Sequence, residues 1–86
     1  MTTYSCDKCR NRIQAETMAD AAGAFAVRLA RRHWGRRGEV RTLRADCWAA
    51  DGSSAEYDAF IGRPGRGIDR GATVGGNVRF VVHRIE

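Results

Sequence analysis

The sequence lacks an apolar run long enough to cross a membrane. Its longest run, Ala21 to Val27, is far shorter than the roughly 20 residues that a spanning helix needs. It also lacks the charged stretch followed by an apolar segment that marks a secretory signal. Three cysteines cannot all pair within one chain, so no secreted disulfide framework is indicated. These absences predict a soluble, cytoplasmic protein that makes no membrane contact.

Lysine and proline are almost missing, since each occurs only once, at Lys8 and Pro64. Arginine therefore carries nearly all of the positive charge. Arginine is better suited than lysine to bidentate contacts with phosphate or carboxylate. A preference for arginine over lysine is also typical of a GC-rich genome, so the bias alone leaves both explanations open.

Acidic residues are scarce in one particular stretch. The segment from Arg28 to Arg44 holds seven arginines and one acid, Glu39, so its formal charge is +6. The rest of the chain carries −1, which gives the net charge of +5. An ordinary solvated helix face has acids interleaved at i, i+4 spacing, and these are absent. A charge confined in this way recruits an anionic partner, either nucleic acid or an acidic protein surface. The predicted partner-binding residues are Arg28, Arg31, Arg32, Trp34, Arg36, Arg37, Arg41 and Arg44.

The 86 residues are enough for one domain. Arg12 to Ala15 is a short strand candidate, and Thr17 with Asp20 resembles a capping box at the start of a helix over Met18–Trp34. Gly35 ends that helix. Glu39 to Ala49, Ala55 to Ile61 and Val78 to Ile85 are the remaining predicted strands. The predicted fold is α+β, with one helix packed on a mostly antiparallel sheet of three or four strands in the order β-α-β-β-β.

A hairpin turn is predicted at Asp51 to Ser53. An odd-length loop there places Leu43, Ala45 and Cys47 on one face of the hairpin with Tyr57, Ala59 and Ile61. The opposite face then carries Trp48 and Phe60, and allows Arg44 to pair with acids of the neighbouring strand. An exposed aromatic patch on that face predicts a homodimer or another partner interface.

The segment from Gly62 to Asn77 contains six glycines and one proline. This composition predicts a long flexible loop and no regular element. Three further arginines in the loop, Arg63, Arg66 and Arg70, are predicted secondary contacts. We expect them to contribute less than the helix arginines because ordering a mobile loop costs entropy.

Cys6 and Cys9 have the C-x-x-C spacing of a zinc knuckle. A structural zinc site needs four ligands, and a second C-x-x-C is missing, so the set would require Cys47 together with His33 or His83. We predict no metal and no other cofactor, with a small zinc-knuckle domain as an alternative. No motif ties either histidine to a nucleophile and an orienting group, and we therefore predict a protein without enzyme activity.

The layout from residue 12 to residue 61 resembles a group of known proteins. Ala15-Glu16-Thr17 and Asp20-Ala21-Ala22, followed by a short helix and a hairpin, are similar to very small strand-helix-hairpin proteins of bacteriophages and mobile elements, including anti-CRISPR proteins. The resemblance implies a stoichiometric inhibitor that covers a functional surface of a host nucleic-acid-processing complex. Several such inhibitors are acidic mimics of DNA, whereas this chain is basic, so mimicry of nucleic acid is disfavoured.

Two functions remain open from the sequence. The first is a phage-type inhibitor or accessory factor whose arginines dock on an acidic protein surface or on a nucleic-acid-bound host complex. The alternative is a free-standing DNA- or RNA-binding protein. No helix-turn-helix pair, zinc-finger spacing or RNP-like aromatic strand is present, so any nucleic-acid binding is predicted to be independent of sequence.

Overall fold

The computed structural model describes residues 1–85. Five strands and one helix follow each other in the order β-β-α-β-β-β. Their bounds are β1 Thr2–Cys6, β2 Ile13–Ala15, α1 Met18–Trp34, β3 Glu39–Trp48, β4 Ser54–Pro64 and β5 Thr73–Ile85, with single 3-10 turns at Gly35–Arg37 and Gly67–Asp69.

The five strands form one antiparallel sheet in the order β2-β1-β5-β4-β3. The α+β class and the single helix are confirmed, and the sheet has five strands where three or four were predicted. The extra strand is β1, a run of threonine, tyrosine and serine that suits a pleated surface. It lies between β2 and the C-terminal end of β5, with Thr3 opposite Ile85 and Cys6 opposite Val82. The N-terminal segment is therefore part of the sheet.

The helix begins and ends where the sequence predicts. The hydroxyl of Thr17 accepts a hydrogen bond from the backbone N–H of Asp20 at 3.1 Å. At the other end the N–H of Gly35 donates to the carbonyl of Arg31, and the φ of 62° at Gly35 turns the chain out of the helix. The buried helix face is mostly alanine, so the helix lies close to the sheet, with Phe25 filling the centre of the core.

The hairpin between β3 and β4 follows the predicted faces only in its middle. Leu43 and Ala45 share a face with Ala59 and Tyr57, as predicted, and the observed partners are Ala59 for Leu43 and Tyr57 for Ala45. The predicted odd-length turn at Asp51 to Ser53 is wrong. The N–H of Ala49 bonds to the carbonyl of Ser54, so the loop consists of the four residues from Ala50 to Ser53.

A bulge between Ala45 and Cys47 absorbs this change of register. Cys47 then lies opposite Glu56, on the face away from the helix, and is exposed. Trp48 lies opposite Ala55 on the helix side, where its ring meets the Tyr57 ring edge-on at 6.2 Å. The predicted positions of these two residues are thus exchanged.

The predicted flexible loop over Gly62 to Asn77 is also wrong. β4 continues to Pro64 and β5 begins at Thr73, so only Gly65 to Ala72 connects the two strands. Gly62 and Gly75 lie opposite each other, and a Cβ on either would fall 2.2 Å from the Val74 carbonyl oxygen or 2.0 Å from that of Ile61. The glycines here permit a close approach of two paired strands, and they do not serve to make the segment flexible.

The sheet face away from the helix is polar. The guanidinium of Arg79 contacts Asp46 at 2.9 Å and Glu56 at 2.7 Å, and Arg44 reaches Asp58 at 4.0 Å. The predicted pairing of Arg44 with a β4 acid is confirmed. The predicted aromatic patch is absent from this face over residues 1–85, because Trp48 lies on the other side and Phe60 is half-buried. The aromatic patch behind the predicted homodimer interface is therefore not assembled on this face, although Trp48 stays exposed on the helix side. No helix within residues 1–85 has the length and hydropathy needed to span a membrane.

Candidate basic docking surface

The C-terminal half of α1 presents most of the predicted arginines on a rigid element. Arg28, Arg31 and Arg32 are exposed on the helix, and Arg36 and Arg37 follow in the 3-10 turn after Gly35. We call these five residues the arginine ridge. Within residues 1–85 no carboxylate forms an ion pair with any of them. The ridge therefore keeps its full charge at the surface.

Two ridge arginines are held in place by the turn between β1 and β2. Nη1 of Arg28 donates to the carbonyl of Asn11 at 3.1 Å, and its guanidinium lies 6.0 Å from the centre of the Phe25 ring. Nη1 of Arg32 donates to the carbonyl of Lys8 at 2.8 Å. These bonds fix the two side chains before any partner arrives, which lowers the entropy lost on binding.

The same turn adds cations that the sequence analysis did not include in the site. Lys8, Arg10 and Arg12 are exposed, and Lys8 and Arg10 line a surface depression with Arg32, Asp7 and Cys9. The Asp7 carboxylate is already engaged, because Oδ1 accepts the N–H of Val81 at 2.9 Å. The depression thus suits a carboxylate or another small anionic group. In the sequence these cations are visible as the Arg10-Asn11-Arg12 cluster. Only the pairing of β1 with β2 and β5 brings this cluster close to the helix.

Arg41, Arg44 and Trp34 are not part of the ridge. Arg44 lies on the opposite sheet face beside Asp58, and Arg41 occupies the bulge between Val40 and Thr42 on β3. Trp34 is half-buried against the core, with its ring 5.6 Å from that of His33. The structure therefore divides the predicted site and leaves the ridge as its coherent part.

The arginines of the glycine-rich segment form a separate cluster. Arg63 is half-buried on β4, where its Nη1 donates to the carbonyl of Pro64 at 3.3 Å. Arg66 and Arg70 are exposed in the connection at the end of the β4–β5 hairpin. They lie on a strand-supported turn instead of the flexible loop that was predicted.

The three cysteines do not come together. Cys6 is buried and Cys9 half-buried at the end of β1, while Cys47 is exposed on the far face of β3. Burial raises the pKa of the Cys6 thiol to about 12, so this thiol stays protonated at neutral pH. Residues 1–85 contain no group of three or more His, Cys, Asp or Glu side chains placed to hold a metal ion. The four-ligand set that the zinc-knuckle alternative requires is not assembled there.

Comparison of the chain with protein-family models, with curated protein sequences and with solved structures finds no match.

Proposed function

We propose that this protein is a non-enzymatic, cytoplasmic docking protein that binds an acidic surface of a partner protein through the arginine ridge. One observation carries the proposal: five exposed cations lie on a helix and the following turn with no ion-pair partner within residues 1–85. Uncompensated like charges on a rigid element cost folding free energy, and an anionic partner relieves that cost.

The geometry favours a protein partner over nucleic acid. Trp34, which adjoins the ridge, is half-buried against the core, and this limits its use as a platform on which a base could stack. Arg28 and Arg32 are fixed by backbone carbonyls, which gives a set geometry suited to bidentate contacts with carboxylates. In line with the resemblance to anti-CRISPR proteins, the partner belongs to a nucleic-acid-processing complex of the host, and binding covers a working surface of that complex.

The test compares two variants with the same change of charge. In the ridge variant Arg31, Arg36 and Arg37 become Gln, which leaves the anchored Arg28 and Arg32 intact. In the control variant Arg41, Arg44 and Arg84, which are exposed outside the ridge and outside the β4–β5 turn, become Gln. Each protein carries a photo-crosslinker and is incubated in nuclease-treated host extract, and cross-linked proteins are quantified by mass spectrometry. We expect a partner that survives nuclease treatment, is retained by the control variant and is lost by the ridge variant.

Affinity for random-sequence duplex and single strands as a function of salt gives the opposing outcome. Five arginines that contact phosphates produce a log–log slope of about −4 to −5 by counterion release. Such a slope, together with loss of the cross-linked partner on nuclease treatment, would show a free-standing nucleic-acid-binding protein and overturn the proposal. We expect no duplex or single-strand binding at low salt.

A further inference from the structure

One stretch of the central sheet has an open edge. β1 covers β5 only from Val82 to Ile85. Beyond it, Asp7 exchanges hydrogen bonds with the backbone of Val81, and the Lys8 ammonium donates to the carbonyl of Arg79. The chain then turns away toward β2, and within residues 1–85 no strand lies on this side of the remainder of β5, which pairs with β4 on its other side.

The backbone groups at this edge point outward. Val81 and Arg79 direct theirs toward the β1 side, and the two-residue period of a strand gives Asn77 and Gly75 the same direction. Both residues are exposed, and this direction places their N–H and C=O groups on the side of β5 where no strand lies within residues 1–85. The open edge, defined as Thr73 to Val78, is regular and pairs with β4 on its other side without a register shift.

The other edges of the sheet are protected, and this one is not. β3 carries two bulges and exposes Arg41 and Arg44, and β2 is only three residues long. Bulges, charges and short length are the usual means by which sheet edges avoid pairing with another chain. The open edge has none of these features, since it is regular and has no charged side chain from Thr73 to Val78.

An apolar groove runs beside the open edge on the helix side. It has a volume of about 220 Å³ and is lined by His33, Trp34, Ile61 and the Gly76–Val78 stretch. A Cβ built on Gly76 meets no atom within 4 Å, so the absence of a side chain there keeps the groove open. A strand paired with β5 directs every second side chain to this face. One aliphatic side chain of such a strand therefore enters the groove.

The charges around the open edge identify the occupant. At one end Lys8 and Arg32 lie together, joined by the bond from the Arg32 guanidinium to the Lys8 carbonyl. At the other end Arg63 lies opposite Val74, with Arg66 and Arg70 in the adjoining turn. These three cations outnumber the two acids there, Asp69 in the turn and Glu39, whose carboxylate accepts a hydrogen bond from the Thr73 hydroxyl. A second copy of this chain would bring the same cations against them and be repelled. An acidic chain is attracted at both ends.

We propose that the open edge Thr73–Val78 receives an acidic, extended segment of the partner protein as an added strand, with one of its aliphatic side chains in the groove. Backbone hydrogen bonds supply affinity in this mode of recognition, and the groove supplies specificity. The inference rests on the proposed function in that the partner is a protein. It assigns that partner a second contact, separate from the arginine ridge.

A proline substitution tests the edge directly. Asn77→Pro removes an N–H that makes no bond to β4 and places a ring in the path of an added strand, whereas Asn77→Thr keeps the N–H. The probe is a short fluorescein-labelled peptide in which Glu alternates with Val and Leu. Two further peptides carry Lys in place of Glu, or N-methyl groups on alternate amides. We expect the acidic peptide to bind the wild type and Asn77→Thr equally well. We expect it to bind Asn77→Pro at least tenfold more weakly. The N-methylated peptide is likewise expected to bind the wild type at least tenfold more weakly than the acidic peptide does.

Hydrogen exchange of the unmodified protein provides a second measurement that needs no variant. The amides of Gly75 and Asn77 are expected to exchange rapidly in the free protein, to become protected when the acidic peptide is added, and to stay unprotected with the Lys peptide. Equal binding of the acidic peptide to Asn77→Pro and Asn77→Thr would overturn the inference. Protection of both amides without peptide, accompanied by a dimer in sedimentation, would overturn it in favour of self-pairing.

The two proposals fail in different ways. Loss of the nuclease-resistant partner by the ridge variant, with unchanged capture by Asn77→Pro, would refute the added strand and leave the docking function standing. A nucleic-acid salt slope of about −4 to −5 with a nuclease-sensitive partner would refute the docking function itself.

Discussion

Alanine substitutions at three neighbouring glycines are expected to change stability in opposite directions. Gly62 and Gly75 face each other across β4 and β5, and a Cβ on them would lie 2.2 Å and 2.0 Å from backbone carbonyl oxygens. Ordinary contact begins at 3.4 Å, so the two strands would have to move apart at both positions. Gly76 is adjacent in sequence, yet a Cβ there meets open space.

The cost follows from what that separation breaks. A strand hydrogen bond lengthened by about 1 Å is lost, at about 1 kcal/mol each, and the strain of forcing a methyl group into filled space adds roughly 1–3 kcal/mol. Gly62→Ala and Gly75→Ala are therefore expected to lower the free energy of unfolding by about 2–4 kcal/mol. For a domain of this size that corresponds to a fall in Tm of at least about 10 °C. Gly76→Ala is expected to raise stability by about 0.5 kcal/mol, because alanine restricts the unfolded chain.

Thermal and urea unfolding followed by circular dichroism measure all three variants under the same conditions. The contrast between adjacent positions is the decisive quantity, since composition and local sequence are nearly identical. Equal shifts in Tm for the three variants, or a change of less than about 0.5 kcal/mol at Gly62, would refute the close approach of the strands and restore the flexible loop predicted from sequence.

Three further predictions concern the core, the helix cap and the thiols. The Tyr57 hydroxyl is buried without a hydrogen-bond partner in residues 1–85, and burial raises its pKa, so Tyr57→Phe is expected to stabilise the fold by about 1 kcal/mol; a lower Tm would contradict this. Thr17→Ala removes the bond to the Asp20 N–H and is expected to lower the free energy of unfolding in urea by about 1 kcal/mol, so an unchanged midpoint would argue against the cap. Cys47 is expected to react rapidly with a thiol reagent at pH 8 and Cys6 only after unfolding, and equal rates would place Cys6 at the surface. Because burial raises the pKa of Cys6 from 9.0 to about 12, the unfolded chain loses this proton first, and the Cys6 contribution to stability falls as the pH rises through that window.

The arginine ridge shows how far the sequence could define the candidate site. Charge counting located Arg28 to Arg37 correctly as a surface without acids, because charge and helical spacing are local properties. It placed Arg44 in the same surface, although that side chain lies on the other sheet face beside Asp58. It also omitted Lys8 and Arg10, since the turn that brings them to the helix depends on a strand paired with the opposite end of the chain.

The sequence by itself determined the elements whose signals are local. The helix Met18–Trp34 is bounded by the cap at Thr17 and the stop at Gly35, and each of these signals lies directly beside the helix end that it sets. The β3–β4 hairpin joins strands that are neighbours in the chain. Only the tertiary structure decided the remainder. A bulge reversed the side chains of Cys47 and Trp48, and pairing across the sheet turned a glycine-rich segment into two strands with one open edge. The physical reason is that glycine permits both a free loop and a close approach of backbones, and only the pairing partner determines which of the two is lower in free energy.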